Sequence, residues 1–170
     1  MKTAGDILIV DDESDIRLLI GATLRDEGFT TMEAASAMEA RDLLAAKPPG
    51  LAILDIWMRD SDMDGLELLE WVKSVYPEVP VLMISGHGTV ETAVQAIRNG
   101  AYDFIEKPFK EDRLLLMVQR AFEASRLERE NAELRARVSE ESDPSIIGVS
   151  TQIKAVRTAM ERIAPTASRV

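Results

Sequence analysis

Four short apolar runs in this 170-residue chain each lead to polar residues that can bind or accept a charged group. The runs are Ile7–Val10, Leu51–Leu54, Val81–Ile84 and Phe104–Ile105, and they are followed by Asp11 and Asp12, by Asp55, by Ser85, and by Glu106 and Lys107. Continuous apolar runs of this length are typical of strands buried on both faces of a parallel sheet. Because the carboxyl ends of parallel strands share one edge, where open α/β sheets bind ligands, we expect these polar side chains to converge.

Helical patterns separate the apolar runs. They cover residues 16–24, 36–47, 66–73 and 90–97, and they are followed by the stop signals Gly28, Pro48, Pro77 and Gly100. Thr89 is placed to cap the last of these helices, and Phe29–Ala34 indicates a weaker strand. The alternation of five strands with helices predicts an α/β fold, a doubly wound parallel sheet with right-handed crossovers.

A much longer helical pattern begins at Glu111 and reaches about Val138 without a Gly or Pro. Its residues at heptad a and d positions form a candidate dimer seam, made of Ala124, Leu127, Asn131, Leu134 and Val138. An Asn at a buried a position favours a parallel two-stranded coiled coil, so we expect a homodimer through this helix. Two alternatives stay open: a solvated helix with alternating charges, and a dimer through the domain faces near Phe104.

The end of the chain indicates a change of organisation. Ser139–Ser145 is polar, contains Pro144 and is typical of a linker, and residues 151–163 form a second amphipathic pattern. No glycine-rich G-x-x-x-x-G-K loop occurs, so this chain carries no such phosphate-binding loop for ATP.

Composition limits the possible functions. The net charge is −10, and the acidic excess lies in the first 110 residues, which would repel the phosphates of nucleic acids. The absence of Cys excludes thiol chemistry and Cys-based metal sites and fits a cytoplasmic protein. No apolar stretch is long enough for a signal peptide or a transmembrane helix, so no membrane partner is expected.

The expected cluster of charges predicts a metal site. Asp11, Asp12 and Asp55 cannot all stay ionised at close range without a cation, and Mg2+ suits oxygen ligands that also meet a phosphoryl group. Asp55 is then a candidate nucleophile that forms an acyl phosphate. Lys107 would contact the phosphoryl oxygens as a point charge, and the Ser85 hydroxyl would donate a hydrogen bond to another oxygen.

Residues 5–122 resemble a receiver domain of a two-component response regulator. The matching motifs are Val10–Glu13, Leu54–Ile56, Ile84–Gly86 and Phe104–Phe109. The resemblance implies the CheY-like, flavodoxin-like strand order 2-1-3-4-5, with Asp55 as the phosphoacceptor. It also implies that Asp12, Asp55 and the Trp57 carbonyl bind Mg2+ directly and that Asp11 binds it through water.

The same resemblance assigns further roles around the site. Ser85 and Lys107 would contact the phosphoryl group, and Phe104 would act with Ser85 as a conformational switch. Trp57 and His87 occupy the positions that flank the acyl phosphate, and we expect their bulk to slow attack by water. The sequence also leaves Phe104 open as an ordinary core residue and His87 as a polar loop residue.

The chain departs from the usual receiver pattern after Asp55. Arg59 stands where receivers usually carry a Pro, and the next Gly, Gly65, comes ten residues after Asp55 instead of eight. The insertion, with the motifs around Ser85 and Lys107, resembles the NtrX subgroup of the NtrC family. Because of this departure, the family pattern does not predict the conformation of the loop between Asp55 and Gly65.

The resemblance also suggests how the chain is divided and what it works with. Residues 123–145 would form a helical, coiled-coil linker, and 146–170 resemble the start of an AAA+ ATPase domain of the NtrC family. The implied partners are an NtrY-like sensor histidine kinase, a second copy of the chain, and DNA and sigma-54 RNA polymerase, the last two only through domains beyond this sequence.

Two other functions compete with that of a phosphoacceptor receiver. A phosphatase of the haloacid dehalogenase type would need a second Asp two residues after the nucleophile, where this chain has Trp57, which cannot transfer protons. A receiver-shaped interaction module without phosphorylation would not need all five of the chemically active residues that are present. We therefore expect a phosphoacceptor that assists its own phosphorylation and is not otherwise an enzyme.

Overall fold

The computed structural model describes the backbone of residues 5–59 and 61–167 and the side chains of residues 5–59 and 61–140. The chain divides into two compact units, Met1–Arg126 and Leu127–Val170. In the described residues the elements are β1 (Asp6–Val10), α1 (Ser14–Asp26), β2 (Thr30–Ala34), α2 (Ala37–Ala46), β3 (Leu51–Asp55), α3 (Gly65–Val75), β4 (Val81–Ser85), α4 (Val90–Arg98), β5 (Asp103–Glu106) and α5 (Glu111–Ala167).

The strands of the described region form one parallel sheet in the order β2-β1-β3-β4-β5, which confirms the predicted fold and strand order. The register pairs Val10 with Leu54, Asp55 with Ile84, and Ser85 with Glu106. The chemically active residues after these strands are therefore level with one another along the carboxyl edge of the sheet.

Two apolar clusters cover the two faces of the sheet. Alternate strand residues point to opposite faces, so that Leu8 and Val10 belong to one cluster and Ile7 and Ile9 to the other. Buried residues of α2, α3 and α4 complete the first cluster, and buried residues of α1 and α5 complete the second. This burial on both faces explains why the strands are continuously apolar.

Local signals in the sequence place most helix ends correctly. The Thr89 side chain accepts a hydrogen bond from the Thr92 N–H and caps α4 as predicted. Gly28 and Gly100, the predicted stops after α1 and α4, have positive φ angles of 87° and 102°, which glycine adopts without a steric penalty. The weak second strand begins at Thr30, one residue later than predicted.

Helix α5 is longer than the sequence predicted. It was expected to end near Val138, yet its backbone continues through 139–145 to Ala167. Proline removes one backbone donor and crowds the preceding turn, but it does not always end a helix that is already propagating. The division at 123–145 and 146–170 remains a prediction, and the last three residues lie outside the described part. No helix in the described residues is long and apolar enough to cross a membrane.

Contacts of Phe122 and Ser125 hold α5 against the first unit, at the end of that unit opposite the carboxyl edge of the sheet. The Phe122 ring stacks on Phe29, with ring centroids 5.6 Å apart. A Cβ atom on Gly5 or Gly50 would lie 2.7 Å or 2.8 Å from the Phe122 ring, so these two glycines make room for it. The buried Ser125 hydroxyl lies 3.5 Å from the Glu78 carbonyl oxygen and donates to it.

Candidate functional site

The carboxyl edge of the sheet brings the predicted site residues together. Asp11 follows β1, Asp55 ends β3 and Ser85 ends β4, and all three side chains are buried. One carboxylate oxygen each from Asp11, Asp12 and Asp55 lie within 4.8 Å of one another, and these residues could hold a metal ion. The predicted acidic cluster is thus present in the fold.

Backbone donors fix the two carboxylates that follow β1. Asp11 Oδ1 accepts the Glu13 N–H at 2.9 Å, and Asp12 Oδ2 accepts the Arg59 N–H at 2.9 Å. The Arg17 guanidinium donates to the Asp11 carbonyl oxygen at 2.5 Å. These contacts hold each carboxylate of the acidic pair by one oxygen, and Asp11 Oδ2 in turn accepts a hydrogen bond from Lys107 at 2.8 Å.

Asp55 lies in an environment that opposes its negative charge. Its side chain is only about 4% exposed, and its Oδ1 is a buried side-chain atom that has no hydrogen-bond partner in the described part of the chain. Burial, followed by the charge of Asp11, raises the pKa of Asp55 to about 6, although Lys107 and the Trp57 backbone N–H act in the opposite direction. A bound cation would satisfy this oxygen and restore the charged form.

Lys107 supplies positive charge to the cluster. Its Nζ atom lies 2.8 Å from Asp11 Oδ2, 3.5 Å from Glu13 Oε1 and 3.6 Å from Asp55 Oδ1. Burial alone would lower the pKa of Lys107, but its hydrogen bond with Asp11 and the neighbouring carboxylates outweigh burial, so the pKa is raised. The ammonium group is therefore positioned where it can reach either Asp11 or a group attached to Asp55.

The remaining predicted residues lie in the loops that surround this centre. The Ser85 hydroxyl accepts the His87 N–H at 3.2 Å, and the His87 side chain is exposed. Trp57 is 51% exposed. Phe104 is partly buried against the first apolar cluster, and its ring fills the space that a Cβ on Gly88 would occupy. Phe104 therefore packs both against the first apolar cluster and against the loop after β4.

Contacts of Gly65 show how the longer loop after β3 ends. A Cβ at this position would overlap the Asp55 carbonyl oxygen and come within 2.7 Å of the Ile56 Cα. The Gly65 N–H donates to the Ile56 carbonyl at 2.9 Å, and Asp64 and Glu67 form a capping box at the start of α3. The loop therefore absorbs its extra residues before Gly65, and α3 still begins against the backbone of Asp55.

Three residues for which the sequence predicted no role also take part in the site. Glu13 contacts Lys107, and Arg17 contacts the carbonyl oxygen of Asp11. The backbone N–H of Arg59 contacts Asp12. An acidic residue after the Asp pair was the only available signal for Glu13. Arg17 lies one helical turn further on, but its donation to a backbone carbonyl has no sequence signature.

The seam residues lie on α5, on either side of the boundary between the two units. Ala124 is partly buried in the first unit. In the second unit Asn131 is exposed, and Leu127, Leu134 and Val138 are 54%, 60% and 67% exposed. The apolar side chains of the predicted seam are thus accessible in a single copy of the chain.

Comparison with known proteins identifies the family. Residues 7–119 match the response regulator receiver domain. The nitrogen assimilation regulatory protein NtrX of Azorhizobium caulinodans is 50% identical over 167 residues, which cover 98% of this chain and 36% of that protein. This chain spans about a third of the length of the curated relatives that it matches.

Solved structures agree with the sequence matches. NtrX from Brucella abortus has a TM-score of 0.77 and 55% identity, with coverage of 80% of this chain and 30% of that chain. The solution structure of the beryllofluoride-activated NtrC4 receiver domain dimer has a TM-score of 0.67 and 39% identity, with coverage of 71% and 98%. The predicted similarity to NtrX is confirmed, and the chain belongs to the response regulator receiver family.

Proposed function

We propose that Asp55 accepts a phosphoryl group from the phosphohistidine of an NtrY-like sensor histidine kinase. A carboxylate oxygen of Asp55 attacks phosphorus, the phosphorus–nitrogen bond breaks, and the imidazole leaves and takes up a proton. The observation that carries this proposal is the buried, unpartnered Asp55 Oδ1 beside two further carboxylates and one ammonium group. Such an oxygen is available to a cation or to phosphorus, and the carboxylate has a second oxygen for the other role.

The acidic cluster fits Mg2+. Asp12, Asp55 and the Trp57 carbonyl would hold the ion directly and Asp11 through water, as the family resemblance implies. When bound, the ion neutralises the crowded carboxylates and the phosphoryl oxygens. The orphaned Asp55 Oδ1 and the raised pKa of Asp55 support this assignment, because both reflect negative charge without enough compensation.

Lys107 and Ser85 would stabilise the phosphorylated state. Lys107 already lies 3.6 Å from Asp55 Oδ1, so a small movement would place its charge against a phosphoryl oxygen. The Ser85 hydroxyl would donate to another oxygen. Its movement would carry the loop that includes Gly88, and Phe104 would respond because its ring packs on that glycine. This is the route by which we propose that Phe104 acts as a switch.

Phosphorylation is tested by incubating the full chain with Mg2+ and acetyl phosphate and measuring its intact mass. A single added phosphoryl group is expected on the wild type and none on Asp55→Asn. Omitting Mg2+ should suppress the reaction. An interaction module would gain no phosphoryl group, and a haloacid dehalogenase-type phosphatase would keep consuming acetyl phosphate without stable modification. Either result would contradict the proposal.

Trp57 and His87 are proposed to control the lifetime of the acyl phosphate. Their positions next to Asp55 and Ser85 support this role, since bulky side chains there would restrict the approach of water. Replacing both with Ala should shorten the phosphoryl lifetime several-fold, read from the decay of the phosphorylated mass after the donor is removed. Trp71→Ala is the control for loss of an indole away from the site. An unchanged lifetime in the double variant would contradict the hypothesis.

The output of this receiver is proposed to depend on regions beyond the sequence given. The relatives are about three times as long, which supports an AAA+ ATPase domain that begins near residues 146–170. DNA and sigma-54 RNA polymerase would be contacted through such further domains. We propose that this chain has no catalytic turnover of its own and that phosphorylation of Asp55 alters pairing between two copies. The exposed apolar seam of α5 supports that pairing.

A further inference from the structure

The loop between β3 and α3 is attached to the metal-binding cluster at both ends. At its far end, Gly65 packs on the backbone of Asp55 and Ile56. At its near end, the Met58 side chain is 6% exposed and belongs to the first apolar cluster. The Arg59 N–H that follows Met58 donates to Asp12 Oδ2 at 2.9 Å. The conformation of this loop therefore determines where one oxygen of Asp12 is held.

A further contact attaches the loop to helix α2. The Ser61 hydroxyl oxygen accepts the Ala37 N–H at 3.0 Å, although the two residues are 24 positions apart. Ala37 is the first residue of α2, where the backbone N–H has no acceptor inside the helix. The residue is fully buried, so water does not offer a substitute acceptor to its N–H. The contact thus meets a requirement of α2 with an atom of the loop.

Two other backbone donors near the start of α2 have acceptors close by in the chain. The Ser36 hydroxyl accepts the Glu39 N–H at 3.3 Å, and the Glu39 carboxylate accepts the Ala35 N–H at 2.8 Å. Both contacts lie within residues 35–39 and need nothing from the loop. Ser61 therefore adds a connection between two elements, whereas Ser36 makes a contact within one element.

We propose that Ser61 is a positioning residue for the metal-binding carboxylate of Asp12. By accepting the Ala37 N–H, Ser61 ties the loop to α2, and this tie keeps the Arg59 N–H on Asp12 Oδ2. With Oδ2 held in this way, the Asp12 carboxylate keeps one orientation, and its other oxygen stays directed at the metal-binding cluster. Removal of a group that orients a metal ligand commonly weakens metal binding by about tenfold or more. This inference rests on the metal site of the proposed function.

The matched control is Ser36→Ala, because it removes a cap from α2, the helix that Ser61 contacts, and leaves the loop after β3 unchanged. The full chain is prepared as Ser61→Ala, Ser61→Thr and Ser36→Ala, all in a Trp71→Phe background so that Trp57 is the reporting indole. Mg2+ is titrated and Trp57 fluorescence is followed. We expect Ser61→Ala to raise the dissociation constant for Mg2+ by roughly three- to tenfold. Ser61→Thr, which keeps the hydroxyl, and Ser36→Ala should stay within about twofold of the background.

A second readout needs no metal. Hydrogen exchange of the Arg59 amide, measured by NMR in EDTA, should accelerate in Ser61→Ala and not in Ser36→Ala. Equal Mg2+ affinities in Ser61→Ala and the background, or equal losses in the two Ala variants, would overturn the proposal. If the background chain binds no Mg2+, the metal part of the proposed function fails. The exchange rate then decides by itself whether Ser61 positions Asp12, and an unchanged rate overturns that role.

Discussion

Replacing Asp55 with asparagine is expected to raise the free energy of unfolding of the metal-free protein by about 3 kcal/mol near pH 7. The pKa of Asp55 is 3.8 in the unfolded reference and about 6 in the folded chain, chiefly because of burial and then of Asp11. The folded state therefore binds an extra proton between these values, and stability falls as the pH rises from about 4 to about 6. Above that range Asp55 is charged in the folded state and the full destabilisation from burying this charge is present. Asparagine is uncharged, so the variant is not destabilised in this way.

The measurement compares urea unfolding of wild type and Asp55→Asn in EDTA across this pH range. The difference in unfolding free energy should be small near pH 4 and should reach its plateau above about pH 6. Asp26→Asn, a change of an exposed aspartate at the end of α1, is the control for loss of a carboxylate outside the cluster. Saturating Mg2+ should stabilise the wild type and reduce the advantage of Asp55→Asn. Parallel profiles for Asp55→Asn and wild type would contradict the assigned cause.

The residues that the sequence placed correctly are those that the strands position. Asp55 and Ser85 end β3 and β4, and Asp11 and Lys107 directly follow β1 and β5. A parallel sheet brings these side chains to one edge whatever the details of the loops. The apolar runs determine the strands because burial on both faces excludes polar residues over their length. Few other arrangements of these strands would satisfy both the alternation with helices and the right-handed crossovers.

The contacts that the sequence did not predict join the loop after β3 to other parts of the fold. Ser61 meets Ala37 and Arg59 meets Asp12 through backbone N–H groups, and neither contact leaves a periodic pattern. Gly65 was visible as an unusual spacing, but only its overlap with the Asp55 carbonyl explains why a glycine is needed there. The end of α5 was also predicted wrongly: the helix continues past Pro144, although an interior proline removes one backbone hydrogen bond and usually kinks or breaks a helix.

Removal of the second unit is expected to convert the protein from a dimer to a monomer. Leu127, Leu134 and Val138 are mostly exposed in one copy, and their heptad spacing would bury them against the same residues of a second copy. Three apolar side chains from each copy, at about 1 kcal/mol or more apiece, would change the dissociation constant by more than about a thousandfold. A chain that ends at Arg126 keeps Phe122, Ser125 and the whole first unit, so its receiver should remain folded.

Analytical ultracentrifugation of the full and shortened chains, with and without acetyl phosphate, distinguishes this seam from the competing surface. The competing surface includes Val90, Val94, Ile97 and Tyr102, which are exposed apolar residues of α4 and of the turn before β5. If the shortened chain dimerises as strongly as the full chain, that surface holds the dimer and the seam does not. Asn131→Leu gives a further check on the full chain. It should strengthen association but allow other registers or oligomers, because a buried amide specifies parallel pairing at a cost in stability.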